Sequence, residues 1–144
     1  MSNATMTTFG WPDTKITELD HWVVALRPQQ PTLGSVVVIS KEPVQAFHDV
    51  SPAGFAEFGR VVKAVESMLA AVVAYEKINW LMLMMVDPDV HFHVIPRHAG
   101  ERTVGDLTKA DAGWPKQPAL GDVITPDGAA RAGLLETLRA AWPA

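Results

Sequence analysis

The chain has 144 residues, and its 12 Lys and Arg against 16 Asp and Glu give a formal charge of −4. This balance is ordinary for one globular domain and argues against general nucleic-acid binding, which needs a basic surface. Because the chain has no cysteine, disulfides, thiolate metal sites and a cysteine nucleophile are excluded. The sequence shows no membrane-spanning run and no signal-peptide pattern, so we expect a cytoplasmic protein that does not bind membranes.

Residues 1–13 are polar, with Gly10 and Pro12 among them. We expect this segment to be a flexible N-terminus lying loosely on the surface, outside a single domain of residues 14–144. Residues 2–4 (Ser-Asn-Ala) look like an expression scar, with Met6 as a plausible native start.

The next segments predict strands. Residues 14–20 suit a short strand, and residues 21–27 are rich in strand-forming residues. A loop with two prolines and a glycine follows over 28–34. Residues 35–40 (Ser-Val-Val-Val-Ile-Ser) form a β-branched run typical of a central strand covered on both faces.

A long helix is predicted after Ser51, a good N-cap, with Pro52 as its first residue. Apolar residues recur there at steps of three and four and form one stripe, with Glu57 largely off it. The stripe consists of Phe55, Phe58, Val62, Val65, Leu69 and Val72.

The second half predicts two further strands and a helix. Residues 78–86 are apolar on both faces and predict another central strand, antiparallel to a strand that starts at Asp89 after a short turn. Residues 98–127 predict a long loop, and residues 128–142 a last helix. The whole predicts an α+β domain: an antiparallel sheet of about five strands with a long helix on one face and a C-terminal helix.

The most informative stretch is residues 89–97, in which polar and apolar residues alternate. The alternation places Asp89, His91 and His93 on one face of a strand, with Phe92 and Val94 facing the core. A histidine held on a strand can be a nucleophile toward phosphorus, an acid or base, or a metal ligand. Strand histidines can also do no more than satisfy hydrogen bonds, and this pattern alone does not separate these possibilities.

Residues 89–95 (Asp-Val-His-Phe-His-Val-Ile) resemble the histidine-triad (HIT) superfamily pattern His-φ-His-φ-His-φ-φ, where φ is apolar, and Pro-Arg follows as in many members. Residues 33–38 and 43–52 resemble the strand and the helix approach of the same family. The resemblance extends from about residue 22 to residue 100, and the tail around residues 113–115 looks like a bacterial HIT-like branch.

The resemblance implies a nucleotide hydrolase or nucleotidyl transferase. By position, His91 is the nucleophile that attacks the α-phosphorus of a nucleotide, and His93 supports the phosphate site. The family also implies a homodimer with two sheets joined edge to edge and no obligatory metal.

This sequence departs from the family pattern at several positions. Asp89 replaces the first histidine, and a carboxylate there repels phosphate, although it can orient an imidazole or hold a metal. Ser35 stands where many members have histidine, and Arg27 where many have an asparagine near the ribose or phosphates. A Gly- and Gln-rich loop that holds the leaving phosphate in many members is replaced by residues 85–88 (Met-Val-Asp-Pro).

Three hypotheses follow. The first is a HIT-type hydrolase or transferase acting on a nucleoside phosphate, dinucleoside polyphosphate or phosphoramidate. The second is a non-catalytic nucleotide-binding or dimeric scaffold module, and the third is a metal site at Asp89, His91 and His93. Catalytic candidates are these same three residues. Candidate substrate contacts are Ser35, Arg27 near the ribose or phosphates, and Gln30 and Leu33 near the base. Arg97 is a further candidate, which suits a phosphate or a surface carboxylate.

Overall fold

The structure is a computed structural model that describes residues 2–143. Met1, the first residue of the predicted N-terminal segment 1–13, and Ala144, the last residue of the predicted domain 14–144, lie outside the described residues. The elements in chain order are α1 (Ala4–Thr8), β1 (Lys15–Glu18), β2 (Trp22–Leu26), β3 (Val36–Ser40), a 3-10 turn (Phe47–Asp49), α2 (Pro52–Val73), β4 (Lys77–Leu81), β5 (His91–Arg97), β6 (Glu101–Val104), β7 (Leu107–Ala110) and α3 (Gly128–Ala141).

Five strands form one antiparallel sheet in the order β1-β2-β3-β5-β4. β3 lies at the centre and is buried along its whole length, as the β-branched run predicts. β4 and β5 are antiparallel neighbours, so that prediction is confirmed. The predicted α+β architecture, with a five-stranded sheet, a long helix and a C-terminal helix, is confirmed. Within residues 2–143, the helices are all too short or too polar to cross a bilayer.

One face of the sheet packs on α2 and α3. Side chains from β2, β3 and β5 join the buried face of α2 and three leucines of α3 in a single apolar cluster. The Ser51 hydroxyl accepts a hydrogen bond from Gly54 N at 2.9 Å and caps α2, as predicted. The buried residues of α2 include Val61, Val65, Met68, Leu69 and Val73.

The predicted stripe is wrong at the start of α2. Phe55 is 41% exposed, whereas Glu57 is 3% exposed. The Glu57 carboxylate accepts a hydrogen bond from His21 N at 2.7 Å, and Trp22 Nε1 donates to Gly54 O at 2.8 Å. These polar contacts with the start of β2 fix the rotation of the first helical turn, so apolar spacing alone does not decide which side is buried.

The opposite face of the sheet is covered in part by the N-terminal segment. Met6 is 1% exposed and packs on β2 and β3 side chains, with Phe9 and Trp11 beside it. Asn3 caps α1 by accepting from Met6 N, and its side-chain amide donates to Ser40 O at 2.9 Å. The expectation that residues 1–13 lie loosely on the surface is therefore wrong for this part of the segment.

Two other boundaries differ from the prediction. β4 ends at Leu81, so residues 82–90 form a connection in which Met85 and Val86 are more than four-fifths exposed. Residues 101–110, predicted as loop, form the β6–β7 hairpin, in which Val104 pairs with Leu107 across the Gly105-Asp106 turn. Gly105 has a φ of +58°, a conformation that favours glycine in short hairpin turns.

Candidate functional site

The two histidines of β5 lie side by side on the sheet face opposite α2 and α3. His91 pairs with Ile39 and His93 with Val37 across the β3–β5 ladder. Their ring centroids are 5.2 Å apart, and the residues are 2% and 7% exposed. Phe92 points into the apolar cluster beneath α2. The predicted division of this strand into an imidazole face and a core face is confirmed for residues 91–94. The predicted start at Asp89 is wrong, because β5 begins at His91 and Asp89 lies in the connection before it.

The backbone fixes the tautomer of His91. Its Nδ1 lies 2.7 Å from the carbonyl oxygen of Asp89. Because a carbonyl oxygen only accepts, Nδ1 carries a proton, and in the neutral imidazole the lone pair is therefore on Nε2. An imidazole in this tautomer can attack an electrophile through Nε2.

Arg27 fixes the opposite tautomer of His93. The Nε–H of Arg27 donates to His93 Nδ1 at 3.2 Å, and a guanidinium has no acceptor, so Nδ1 holds the lone pair. Nε2 of His93 therefore carries the proton. Burial, then the charge of Arg27 and then His91 lower the pKa of His93 to about 4, so this imidazole is neutral near pH 7.

Asp89 is bound to the N-terminal segment. Its Oδ2 accepts from Thr5 N at 3.1 Å and from Thr5 Oγ1 at 2.9 Å, while its own N–H donates to Thr5 Oγ1 at 3.1 Å. Both residues are buried. The Asp89 side chain thus anchors α1 to the start of β5, and its backbone carbonyl orients His91.

Phe9 lies directly against both imidazoles. Its ring centroid is 5.9 Å from that of His91 and 5.4 Å from that of His93. Beside it opens a cleft of about 360 Å³ lined by Thr8, Phe9, Arg27, Pro28, Gln29 and Thr125. Sequence reasoning missed Thr5 and Phe9, because their contacts join positions about eighty residues apart and leave no local pattern.

Three predicted substrate contacts are wrong because their side chains are inside the protein. Ser35, Gln30 and Leu33 are each 0% exposed. The Gln30 amide donates to Ser35 O at 2.8 Å and accepts from Gly34 N at 2.9 Å, so it closes the loop between β2 and β3. The Ser35 hydroxyl donates to Thr32 O at 2.8 Å.

Arg97 lies at the far end of β5, about 20 Å along the strand from His91 at roughly 3.3 Å per residue. It is 3% exposed, and its Nε and Nη2 donate to the carboxylate of Asp111 at 2.7 and 3.2 Å. Nη1 donates to Asn79 at 2.8 Å. The structure therefore does not bring Arg97 to the imidazoles. It forms a buried ion pair instead of the surface pair or phosphate contact that the sequence suggested.

Asp111, which sequence reasoning missed, is the partner that completes this pair. Burial alone raises its pKa, but hydrogen bonds from Arg97, His98 N and Gly113 N outweigh it, so the pKa is lowered. A cleft of about 610 Å³ lies next to the pair, between β4 and the loop that carries Trp114.

The proposed metal ligands do not form a metal site in the structure. Across residues 2–143, no group of three or more His, Cys, Asp or Glu side chains has the arrangement that holds a metal ion. Asp89, His91 and His93 therefore do not form such a group. The carboxylate is engaged by Thr5, so it does not converge on an ion with the two imidazoles.

Comparisons with known proteins identify a family and several similar folds. A family model described as HIT domain matches residues 9–100. A histidine triad protein from Bradyrhizobium japonicum has a similar fold, with 16% identity, a TM-score of 0.71, and coverage of 99% of this chain and 97% of that chain. A histidine triad protein from Sinorhizobium meliloti gives 18% identity, a TM-score of 0.69, and coverage of 95% and 96%.

A third structure is described as a hypothetical histidine triad nucleotide-binding protein from Sulfolobus tokodaii, with 20% identity, a TM-score of 0.68, and coverage of 89% and 82%. Comparison with curated proteins gives no match. At these identities the solved structures show the fold alone. The family model spans more than half of the chain, from Phe9 through both imidazoles, and the chain therefore belongs to the HIT domain family.

Proposed function

We propose that this protein is a nucleotide hydrolase or nucleotidyl transferase that works through a covalent nucleotidyl-His91 intermediate. Its substrate class is a nucleoside phosphate, dinucleoside polyphosphate or nucleoside phosphoramidate. The observation that supports this most is the hydrogen bond from His91 Nδ1 to Asp89 O, which leaves a lone pair on Nε2.

The first step forms one bond and breaks one bond. His91 Nε2 attacks the α-phosphorus, the new P–N bond forms, and the bond to the leaving group breaks. The leaving group departs with the bonding electrons and takes up a proton from water. The imidazole becomes positively charged, which strengthens the Nδ1–H hydrogen bond to the Asp89 carbonyl.

The second step returns the histidine to its starting state. A water molecule attacks the phosphorus, the P–N bond breaks, and the electron pair returns to Nε2 while the water gives up a proton. In a transferase, another hydroxyl takes the place of water. The products are a nucleoside monophosphate or its ester and free His91.

The cleft beside the imidazoles suits a nucleotide in charge and shape. Arg27 brings a cation next to His93, where it can attract phosphate oxygens. Phe9 offers an aromatic face against which a base can stack. Thr8 and Thr125 add hydroxyl groups that can bond a ribose or phosphate.

The second candidate is a non-catalytic nucleotide-binding module. Two observations favour it: the Asp89 carboxylate is used to hold Thr5, and the connection before β5 carries exposed Met85 and Val86. Neither apolar side chain can hydrogen-bond a leaving phosphate.

We also propose the homodimer and the cytoplasmic location. β4 is an edge strand paired only with β5 within the described chain, and an edge of this kind can pair with a second copy. Leu83, Met85 and Val86 are exposed beside it and would be covered in such a dimer. Light scattering of the purified protein measures the assembly directly.

The test of the activity compares wild type with His91→Asn. Asparagine can still donate to the Asp89 carbonyl, but it has no nucleophilic ring nitrogen. We expect turnover of at least one nucleoside phosphoramidate or dinucleoside polyphosphate by wild type and background rates for the variant. His48→Asn is the matched control, because the His48 side chain is 86% exposed, and it should retain wild-type rates.

A separate variant distinguishes the two candidates. If wild type binds nucleoside monophosphate in calorimetry but turns over no substrate, while Asp89→His gains turnover, the natural chain is a binding module. Equal turnover by wild type and His91→Asn contradicts the nucleotidyl-His91 intermediate.

A further inference from the structure

We propose that Arg27 is a positioning residue that sets His93 in the tautomer protonated at Nε2. The two neighbouring imidazoles then present opposite groups to a substrate: a lone pair on His91 Nε2 and an N–H on His93 Nε2. The catalytic consequence rests on the proposed function, whereas the tautomer itself can be tested without any activity.

Arg27 is held rigidly enough for this role. It follows the last residue of β2, its N–H donates to Ser35 O at 3.0 Å, and its carbonyl accepts from the buried Gln30 amide. Its Nη1 donates to Gln29 O at 2.6 Å. These contacts fix both ends of the side chain, so the Nε–H has little freedom to leave His93.

Arg27 Nε is the polar group that decides the state of the His93 ring. The aromatic neighbours of the ring are Phe9, in an edge contact at 5.4 Å, and His91, in an edge contact at 5.2 Å. Within residues 2–143, no other hydrogen bond reaches the His93 ring nitrogens. In water the two neutral tautomers interconvert freely, so a single fixed donor at Nδ1 selects one of them.

The selected tautomer suits phosphoryl chemistry. An N–H on His93 Nε2 can donate to a non-bridging phosphate oxygen as negative charge builds up during attack. The other tautomer would present a lone pair to the same oxygen and repel it. His91 needs the reverse arrangement, and the Asp89 carbonyl supplies it.

Two substitutions separate the donor from the charge. Glutamine in Arg27→Gln has an N–H₂ bonded to Cδ, at the position of the arginine Nε, so it loses the charge and keeps a donor when the amide nitrogen, and not the amide oxygen, faces His93. Methionine in Arg27→Met has similar length and has neither. Long-range ¹H–¹⁵N spectra of the uniformly labelled protein report which nitrogen of each histidine carries the proton.

We expect wild type at pH 7 to show His91 protonated at Nδ1 and His93 protonated at Nε2. Arg27→Gln should keep both patterns when its amide nitrogen faces His93 Nδ1, and Arg27→Met should give a mixture for His93 only. The unchanged His91 signals in the same spectra show that the variant is folded. A wild-type His93 protonated at Nδ1, or an Arg27→Met variant that keeps the Nε2 proton, overturns the proposal.

Kinetics add a second readout once a substrate is known. Arg27→Gln should raise KM for anionic substrates and retain most of kcat. Arg27→Met should lower kcat by roughly a hundredfold, as expected when one donor to the transition state is lost. Equal loss of kcat in the two variants contradicts a positioning role and assigns Arg27 to charge alone. If the proposed function is wrong, no variant turns over substrate, but the histidine tautomers are still those proposed here for wild type.

Discussion

Replacing Thr5 with valine removes the hydroxyl that joins α1 to Asp89 while preserving the shape of the side chain. The lost bond to the carboxylate is charge-assisted, and such bonds contribute about 1.5–3 kcal/mol. The Asp89 N–H also loses its acceptor, at a cost of about 1–3 kcal/mol if it stays buried. Because α1 can detach and admit water, we expect a net loss of about 2–4 kcal/mol in the free energy of unfolding.

The assay is urea denaturation of wild type, Thr5→Val and Thr7→Val. Thr7 lies on the same five-residue helix, and its hydroxyl also donates to a backbone carbonyl, but it is exposed. The control should therefore change stability by less than about 0.5 kcal/mol. Hydrogen exchange should show faster exchange at Asp89 N in Thr5→Val. If both variants are equally stable, the Thr5–Asp89 contact does not anchor the segment.

Three further outcomes follow from the geometry. His93 titrates at about 4 in the folded chain, so between that pH and its ordinary 6.5 the unfolded chain binds the extra proton. The free energy of unfolding should fall by roughly 3 kcal/mol as pH drops through this window, and His93→Gln should flatten the slope in acid-dependent urea titrations. Asp111→Asn leaves Arg97 buried without its ion-pair partner and should cost about 3–5 kcal/mol, whereas Asp122→Asn, in a half-exposed pair with Lys109, should cost less than about 1 kcal/mol. Met6→Ala should cost about 2–5 kcal/mol if α1 is docked in solution, and a negligible loss on thermal unfolding would contradict that docking.

The strand that carries the imidazoles was predictable because its signal is local. Alternation over residues 91–94 places His91 and His93 on one face whatever the rest of the chain does. The cap of α2 was also local, since Ser51 and Pro52 act within one turn. Both predictions are confirmed for that reason.

The parts that could not be predicted depend on contacts distant in sequence. Thr5 and Asp89 are 84 positions apart in sequence, and neither residue carries a pattern that indicates the other. Arg97 forms an ion pair with Asp111 because the β6–β7 hairpin brings the chain back to the end of β5.

The side-chain directions in the loop between β2 and β3 could not be predicted for a different reason. Polarity and loop position suggested that its residues face a ligand. Gly34 has a φ of +93°, and this left-handed backbone accompanies the inward placement of Gln30 and Leu33. A backbone conformation of this kind is not visible in composition.

The most direct test of nucleophilic attack by His91 is rapid-quench mass spectrometry of wild-type protein mixed with a nucleoside phosphoramidate. We expect a transient, acid-labile adduct with the mass of one nucleoside monophosphoryl group on the peptide that contains His91. His91→Asn should show no adduct, and His48→Asn should form it at the wild-type rate. Turnover without this adduct, or an adduct on His93, would contradict nucleophilic attack by His91.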